Sequence, residues 1–243
     1  MAFIHGKNTQ ILHGAYDLSA YFNDASSSQD QEMADSTTFK VSGTAKTYLA
    51  GLSDGTFAFS GLFDGSASAV DEVLAATIGS NLLAPVSFAV EGFAIGKRVK
   101  IALSKTASYE VSSPVSDVVS TSYSGQADGG IDAGVSLAAN TSVAATTTGT
   151  STDNAAASTN GGIGQLHVNA NTWNAAANAK IQHSSDNVTF VDLVTFATVA
   201  TTVKTSERIE VAAGTTVNRY LRAVITLTAG AGAITYQITF ARR

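Results

Sequence analysis

The chain contains no cysteine and only two prolines among its 243 residues, and 14% of its residues are charged. Without cysteine there is neither a disulfide framework nor a thiolate metal site, which fits folding in a reducing compartment. Scarce proline leaves strand edges without one of their usual protections, which suits edges covered by a neighbouring subunit. No apolar run approaches the roughly 18 residues that span a bilayer. Met1–Lys7 lacks the basic and apolar regions of an export signal. A soluble protein made and used without secretion is expected, and the sequons at Asn140 and Asn187 then carry no meaning.

What is abundant is small and β-favouring: Gly, Ala, Ser, Thr and Val. At 44% hydrophobic residues the chain still has enough apolar surface for real cores. Its net charge of −5 is unevenly spread. Residues 1–142 hold 14 acidic against 7 basic side chains, while residues 161–243 hold 4 against 7. This split is either ordinary surface charge or the mark of a domain facing something it must not hold, such as DNA, whose phosphates it would repel.

A search for chemistry finds little. His5, His13, His167 and His183 stand alone, without the spacing of a metal pair. Asp128-Gly129-Gly130-Ile131-Asp132 lacks the ligand pattern of an EF-hand and reads better as a strand-ending turn than as a Ca²⁺ loop. Asp30, Glu32 and Asp35 sit among Ser and Gln, without the apolar walls that would raise a catalytic carboxyl, and read as a solvated strand face. Gly161-Gly162-Ile163-Gly164 has no following Lys-Ser/Thr, and no serine occupies a nucleophile elbow. The basic group Lys97, Arg98, Lys100 and Lys105 lacks interleaved aromatics. Trp173 is either a core or loop anchor or a platform for a sugar ring. No catalytic, cofactor-binding or metal residue is expected, and no enzyme.

The pattern instead specifies an all-β protein with one short helix: a β-sandwich or barrel domain at 1–142, an Ala/Thr/Ser-rich linker at 143–160, and a small β-sandwich at 161–243. The alternative for the small-residue tract is a long edge strand plus loop within one domain. Thr56–Phe63 alternates, with Phe57, Phe59 and Phe63 on one face. Ser68–Asp71 offers a capping box, Val70, Val73, Leu74 and Ile78 follow at helical spacing, and Gly79 is a natural stop. These seven apolar residues are the expected subunit core. Ala84–Glu91, Arg98–Ser104 and Ile234–Phe240 alternate cleanly as half-buried strands.

Two stretches do not alternate. Ser26–Asp35 and Ser116–Ser124 carry polar residues on both faces. A strand cannot bury unpaired polar groups at roughly 1–3 kcal/mol each, so these need water on at least one face and neighbours for their backbones. Copies paired edge to edge in a closed ring would supply both, as a large barrel with a wet interior.

The order of elements resembles the major tail-tube proteins of long-tailed, non-contractile phages (siphophages) over about residues 8–138. The resemblance is carried by Asp17-Leu18-Ser19, a polar strand ending in Thr37-Thr38-Phe39, an Asp54-Gly55-Thr56-Phe57 strand closed by Phe63-Asp64-Gly65, a helix, and Ser112-Ser113-Pro114-Val115-Ser116-Asp117-Val118-Val119. It implies hexameric rings stacked into a virion tail tube, assembled in the host cytoplasm. The implied partners are further copies of the chain, a tape-measure protein, tail terminator and distal tail proteins, with double-stranded DNA passing transiently and no membrane insertion. It also implies a lumen lined by acidic and polar side chains, for which Ser28, Asp30, Glu32, Asp35, Ser120 and Ser122 are the candidates, and an extended loop over Lys40–Ser53 that meets the next ring. The C-terminal sandwich looks like the accessory domains appended outside such tubes. The alternative is a virion decoration or host- and glycan-binding module carried by that sandwich.

Overall fold

A computed structural model describes residues 5–39 and 44–243. Among the described residues the strands are all antiparallel and form two sheets, with one short α-helix and a single 3-10 turn at Gly6–Asn8. The strands are β1 (Gln10–His13), β2 (Tyr16–Asp17), β3 (Phe22–Asp35), β4 (Tyr48–Leu62), β5 (Ala84–Ala89), β6 (Arg98–Ser112), β7 (Ser120–Val143), β8 (Thr147–Thr148), β9 (Thr152–Asp153), β10 (Gly162–Asn171), β11 (Ala177–Ser184), β12 (Val191–Thr195), β13 (Thr205–Val211), β14 (Tyr220–Leu227) and β15 (Ile234–Arg242). The helix α1 is Val70–Ala75. The larger sheet runs β13-β10-β15-β7-β6-β5-β1-β2, with β4 on the first half of β7 and β3 on β4. The smaller has β12-β11-β14-β8, with β9 also on β14.

The 24-residue β7 organises the molecule. Ser120–Gln126 pairs with β4, whereas Val135–Val143 pairs with β15, and β6 runs beside both halves. The change of neighbour falls at Asp128–Asp132, where the register to β6 shifts and Gly129 and Gly130 adopt φ of +77° and +82°. The segment expected to end a strand is therefore a bulge inside one. Two glycines in the left-handed region let the strand bend there without a Cβ penalty.

Three cores follow from this bend. The first packs Phe57, Phe59, Tyr123, Phe88, Val86, Ile11, Leu18, Val70 and Leu74. The third lies between the two sheets of a sandwich and holds Leu166, Val168, Trp173, Ile181, Leu221, Ile225, Ile238 and Phe240. Between them sits a small second core of Leu12, Ala89, Phe93, Val99, Ile101, Ile163 and Ala241. Strand β5 thus has Val86 and Phe88 in one core and Ala89 in the next.

Several expectations are corrected. The tract 143–160 is not a bare connector: β7 runs to Val143, and β8 and β9 add to β14, so backbone pairing ties small residues that have little side-chain apolar surface to contribute. Residues 113–119 form a loop after Pro114 rather than a strand, leaving Val115 and Val118 exposed. The helix stops at Ala75, because the Thr77 hydroxyl donates to the Leu74 carbonyl at 2.6 Å and closes the last turn. Ile78 is accordingly exposed, and so is Phe63, which lies beyond the end of β4. The capping box is absent: Ala69 is the N-cap, and the Glu72 carboxylate instead accepts from the Ser68 amide. Within the expected loop Lys40–Ser53, residues 40–43 lie outside the described residues and residues 48–53 belong to β4.

Candidate functional site

Strands β3, β4, the first half of β7 and the second half of β6 lie side by side. Directly paired residues on neighbouring strands point to the same face. The pairing therefore builds rows across the sheet: Asp24, Ser60, Ser122 and Glu110; Ser26, Ala58, Ser124 and Ser108; Ser28, Thr56, Gln126 and Lys105. Alternate residues point the other way. Phe57, Phe59 and Tyr123 there form the first core, with Val70 and Leu74 from the helix. One face of this sheet is greasy and closed, and the other is polar and open.

The polar face gathers most of the candidate lumen residues. Ser28 and Ser122 occupy its rows, Ser120 pairs with Leu62 at one end, and Asp30 pairs with Asp54 at the other. Glu32 follows Asp30 on the same side of β3 by alternation, whereas Asp35 falls on the opposite side with Met33. Asp35 is held below the usual carboxylate range by the Thr37 hydroxyl and amide and by Lys46 at 3.1 Å. Sequence reading missed Glu110, Gln126 and Lys105 on this face. The signal was present as alternation, but only the register shows which parity meets which.

Among the described residues the sheet has two free edges. Strand β3 pairs with β4 alone. Strand β6 loses β5 after the Ala84–Ser104 pair, so Lys105–Ser112 is bounded only by β7. Unpaired rows of N–H and C=O groups are ready to receive another strand. Past Ser28 and Thr56, β3 and β4 also lose β7 and project as a two-stranded arm. Two side-chain tethers remain: the Gln29 amide donates to the Ile131 carbonyl at 2.6 Å, and the Gln126 amide donates to the Asp54 carboxylate. On this arm Met33, Tyr48, Leu49 and Leu52 are exposed, Leu52 to 81%. A two-stranded ribbon is marginal in water, and its apolar residues gain from being covered.

The remaining candidates are structural in placement. His13 and His167 are wholly buried, and desolvation pushes both imidazoles down to about 4. His183 Nδ1 accepts from the Asn218 amide at 3.1 Å. Trp173 is 5% exposed inside the sandwich core, so its ring offers no platform to a sugar. Among the described residues no three His, Asp or Glu side chains come together as a metal site. Lys97 pairs with Glu91 at 2.5 Å, and Lys105 donates to Asn81 at 2.8 Å, which disperses the basic cluster.

No protein-family model and no curated sequence matches the chain. Solved structures do resemble it, at low identity and with TM-scores under 0.5. One is a chain from the virion of a native gene transfer agent particle, at 16% identity and TM-score 0.44, covering 53% of this chain and 97% of that one. Another comes from the tail of an empty gene transfer agent particle with C6 symmetry, at 14% identity and TM-score 0.45, with the same coverage. A third is the SPP1 Dit protein, described as a paradigm of the hub adsorption apparatus in phages infecting Gram-positive hosts. It matches at 14% identity and TM-score 0.37, over 96% of this chain and 98% of that one.

Proposed function

We propose that this chain is a structural, non-enzymatic subunit of a phage tail. It assembles edge to edge into a closed ring, and rings stack into a tube whose polar lumen passes DNA without holding it. The observation that carries the reading is the sheet β3-β4-β7-β6, with its polar face and two free edges on opposite sides. Pairing β3 of one copy with Lys105–Ser112 of the next uses both edges in a head-to-tail contact. Such a contact closes into a ring when the rotation per copy divides the circle. The first core then packs outside the barrel and the polar rows line its inside.

The acidic excess of residues 1–142 supports a surface that repels phosphate. The exposed apolar arm supports contact with a further copy along the tube axis. The finer assignments follow the tail-tube resemblance: a hexamer, a tape-measure protein within, terminator and distal tail proteins at the ends, and the C-terminal sandwich outside. A glycan-binding role for that sandwich loses its best residue with Trp173 in the core.

Sedimentation across a concentration series tests the reading. A ring of fixed stoichiometry is expected, with interfaces of about 2,000 Å² or more, and neither the ring nor the monomer should retain double-stranded DNA at physiological salt. Tight DNA binding would overturn the lumen assignment.

A further inference from the structure

Beside the small second core, the junction between the first half of the molecule and the sandwich also holds a polar network. His167 on β10 is fully buried there. Its Nδ1 lies 2.6 Å from the carbonyl of Gly14 in the β1–β2 turn. A carbonyl only accepts, so Nδ1 carries the hydrogen and Nε2 is the acceptor. Ser87 Oγ of β5 lies 2.9 Å from Nε2, and Gln165 Nε2 of β10 lies 3.0 Å from it. The two hydrogens of the Gln165 amide go to the Val86 carbonyl and to Ser87 Oγ, each at 2.9 Å. Its oxygen faces Arg208 at 3.3 Å, which fixes the amide's orientation. A single chain of donors therefore runs Gln165 to Ser87 to His167 to Gly14, and it closes only while His167 is neutral.

We propose that this seam is an acid-operated release: a proton on His167 Nε2 parts β10 from β5 and the β1–β2 turn, while the sandwich on the other face of β10 stays folded. A protonated Nε2 presents a hydrogen to the Ser87 hydroxyl, which in the neutral network donates to it, and to the Gln165 amide nitrogen, which accepts nothing. Ser87 could accept, but its own hydrogen then has no acceptor in the network. The ladders of β10 to β13 and β15 are made by backbone N–H and C=O groups, which do not titrate in this range, and they survive the change.

The charges facing the seam decide the direction. On β2, the Asp17 carboxylate favours a charged His167, but it is engaged by Ser19 and by Asn140, which also joins Asn169 of β10. On β1, His13 repels a second charge, and it meets Tyr123 of β7, which in turn meets Ser104 of β6. On β13, Arg208 stands behind Gln165, with Asp132 of β7 against it at 2.6 Å. Burial outweighs the Asp17 attraction and holds both imidazoles near 4. Because the closed form takes up protons later than the open form, closure is favoured fully above about pH 6.5 and is lost progressively toward pH 4. At pH 5 one such histidine shifts the opening equilibrium by about 30-fold.

The absence of native cysteine makes single-thiol labelling the direct test. Ala89→Cys reports the seam, Ala179→Cys reports the sandwich core, and Val188→Cys is the exposed standard to which rates are normalised at each pH. Labelling of Ala89→Cys should rise at least tenfold between pH 7.5 and 5 while Ala179→Cys does not, and added His167→Gln should abolish the rise. Should the His167→Gln chain not fold, the imidazole resonances of the native protein take its place, and the proton uptake of His167 must follow the labelling midpoint. Equal rises at both thiols, no rise at either, an acid response that persists in His167→Gln, or proton uptake away from the labelling midpoint would each overturn the proposal.

Discussion

The ring of Phe59 lies flat on that of Tyr123, centroids 5.7 Å apart and planes 13° from parallel, and this stack holds β4 to β7 beneath the polar rows. Phe57, Phe88 and Phe22 complete the cluster around it. Phe59→Ala removes a buried aromatic side chain and leaves a cavity, and it should cost about 3–5 kcal/mol. Chemical denaturation of the dilute protein measures this. A cost below about 1 kcal/mol would mean that the core does not hold the sheet.

Gly61 sits where β3 bulges against β4 between Phe22 and Asp24. A Cβ there would lie 2.1 Å from the Tyr21 carbonyl oxygen, which is backbone and cannot swing away. Gly61→Ala should destabilise the chain by about 1–3 kcal/mol and shift the β3 register. Thermal unfolding reads the first effect, and amide resonances of β3 read the second.

Asp132 closes the β7 bulge onto the far strands, 2.6 Å from Arg208 of β13 and 3.2 Å from Arg243. The Asp132–Arg208 pair is largely shielded, with side chains 15% and 10% exposed. Asp132→Ala strands the Arg208 guanidinium in that setting and should cost about 2–4 kcal/mol. Restored stability in Asp132→Ala with Arg208→Met would identify the stranded charge as the cause.

The legibility of the sequence followed the reach of its local signals. Clean alternation marked β5, the start of β6 and β15, and the apolar positions Phe57, Phe59, Val70 and Leu74 are buried. From the sequence alone the strand ends at Asp128-Gly129-Gly130, which has the composition of a turn, and the second half of β7 goes unread. Whether such glycines end a strand or bend it depends on the neighbouring register with β6, which no local pattern contains. Thr77 shortened the helix through a side-chain bond that apolar spacing does not record. The polar stretch Ser26–Asp35 was readable as unusual, but its meaning lies in β4, β7 and β6 beside it. The seam at His167 could not be read at all, since its members come from residues 14, 87 and 167.

The polar face should tolerate loss of charge and respond to its reversal. Asp30→Asn with Glu32→Gln leaves packing untouched, because both side chains are exposed, and folding and assembly should persist. Failure to assemble would place those carboxylates in a contact between copies. Ser28→Lys with Ser122→Lys adds positive charge to the same face, and each lysine recruits phosphate contacts. That variant should retain DNA in a filter or gel assay, with an affinity that falls steeply as salt rises.

Negative-stain electron microscopy of the concentrated native protein bears most directly on the two free edges of the polar-faced sheet. Closed rings or stacked tubes with a stain-filled channel are the predicted result. A compact monomer at every concentration, with neither rings nor tubes, would contradict the account.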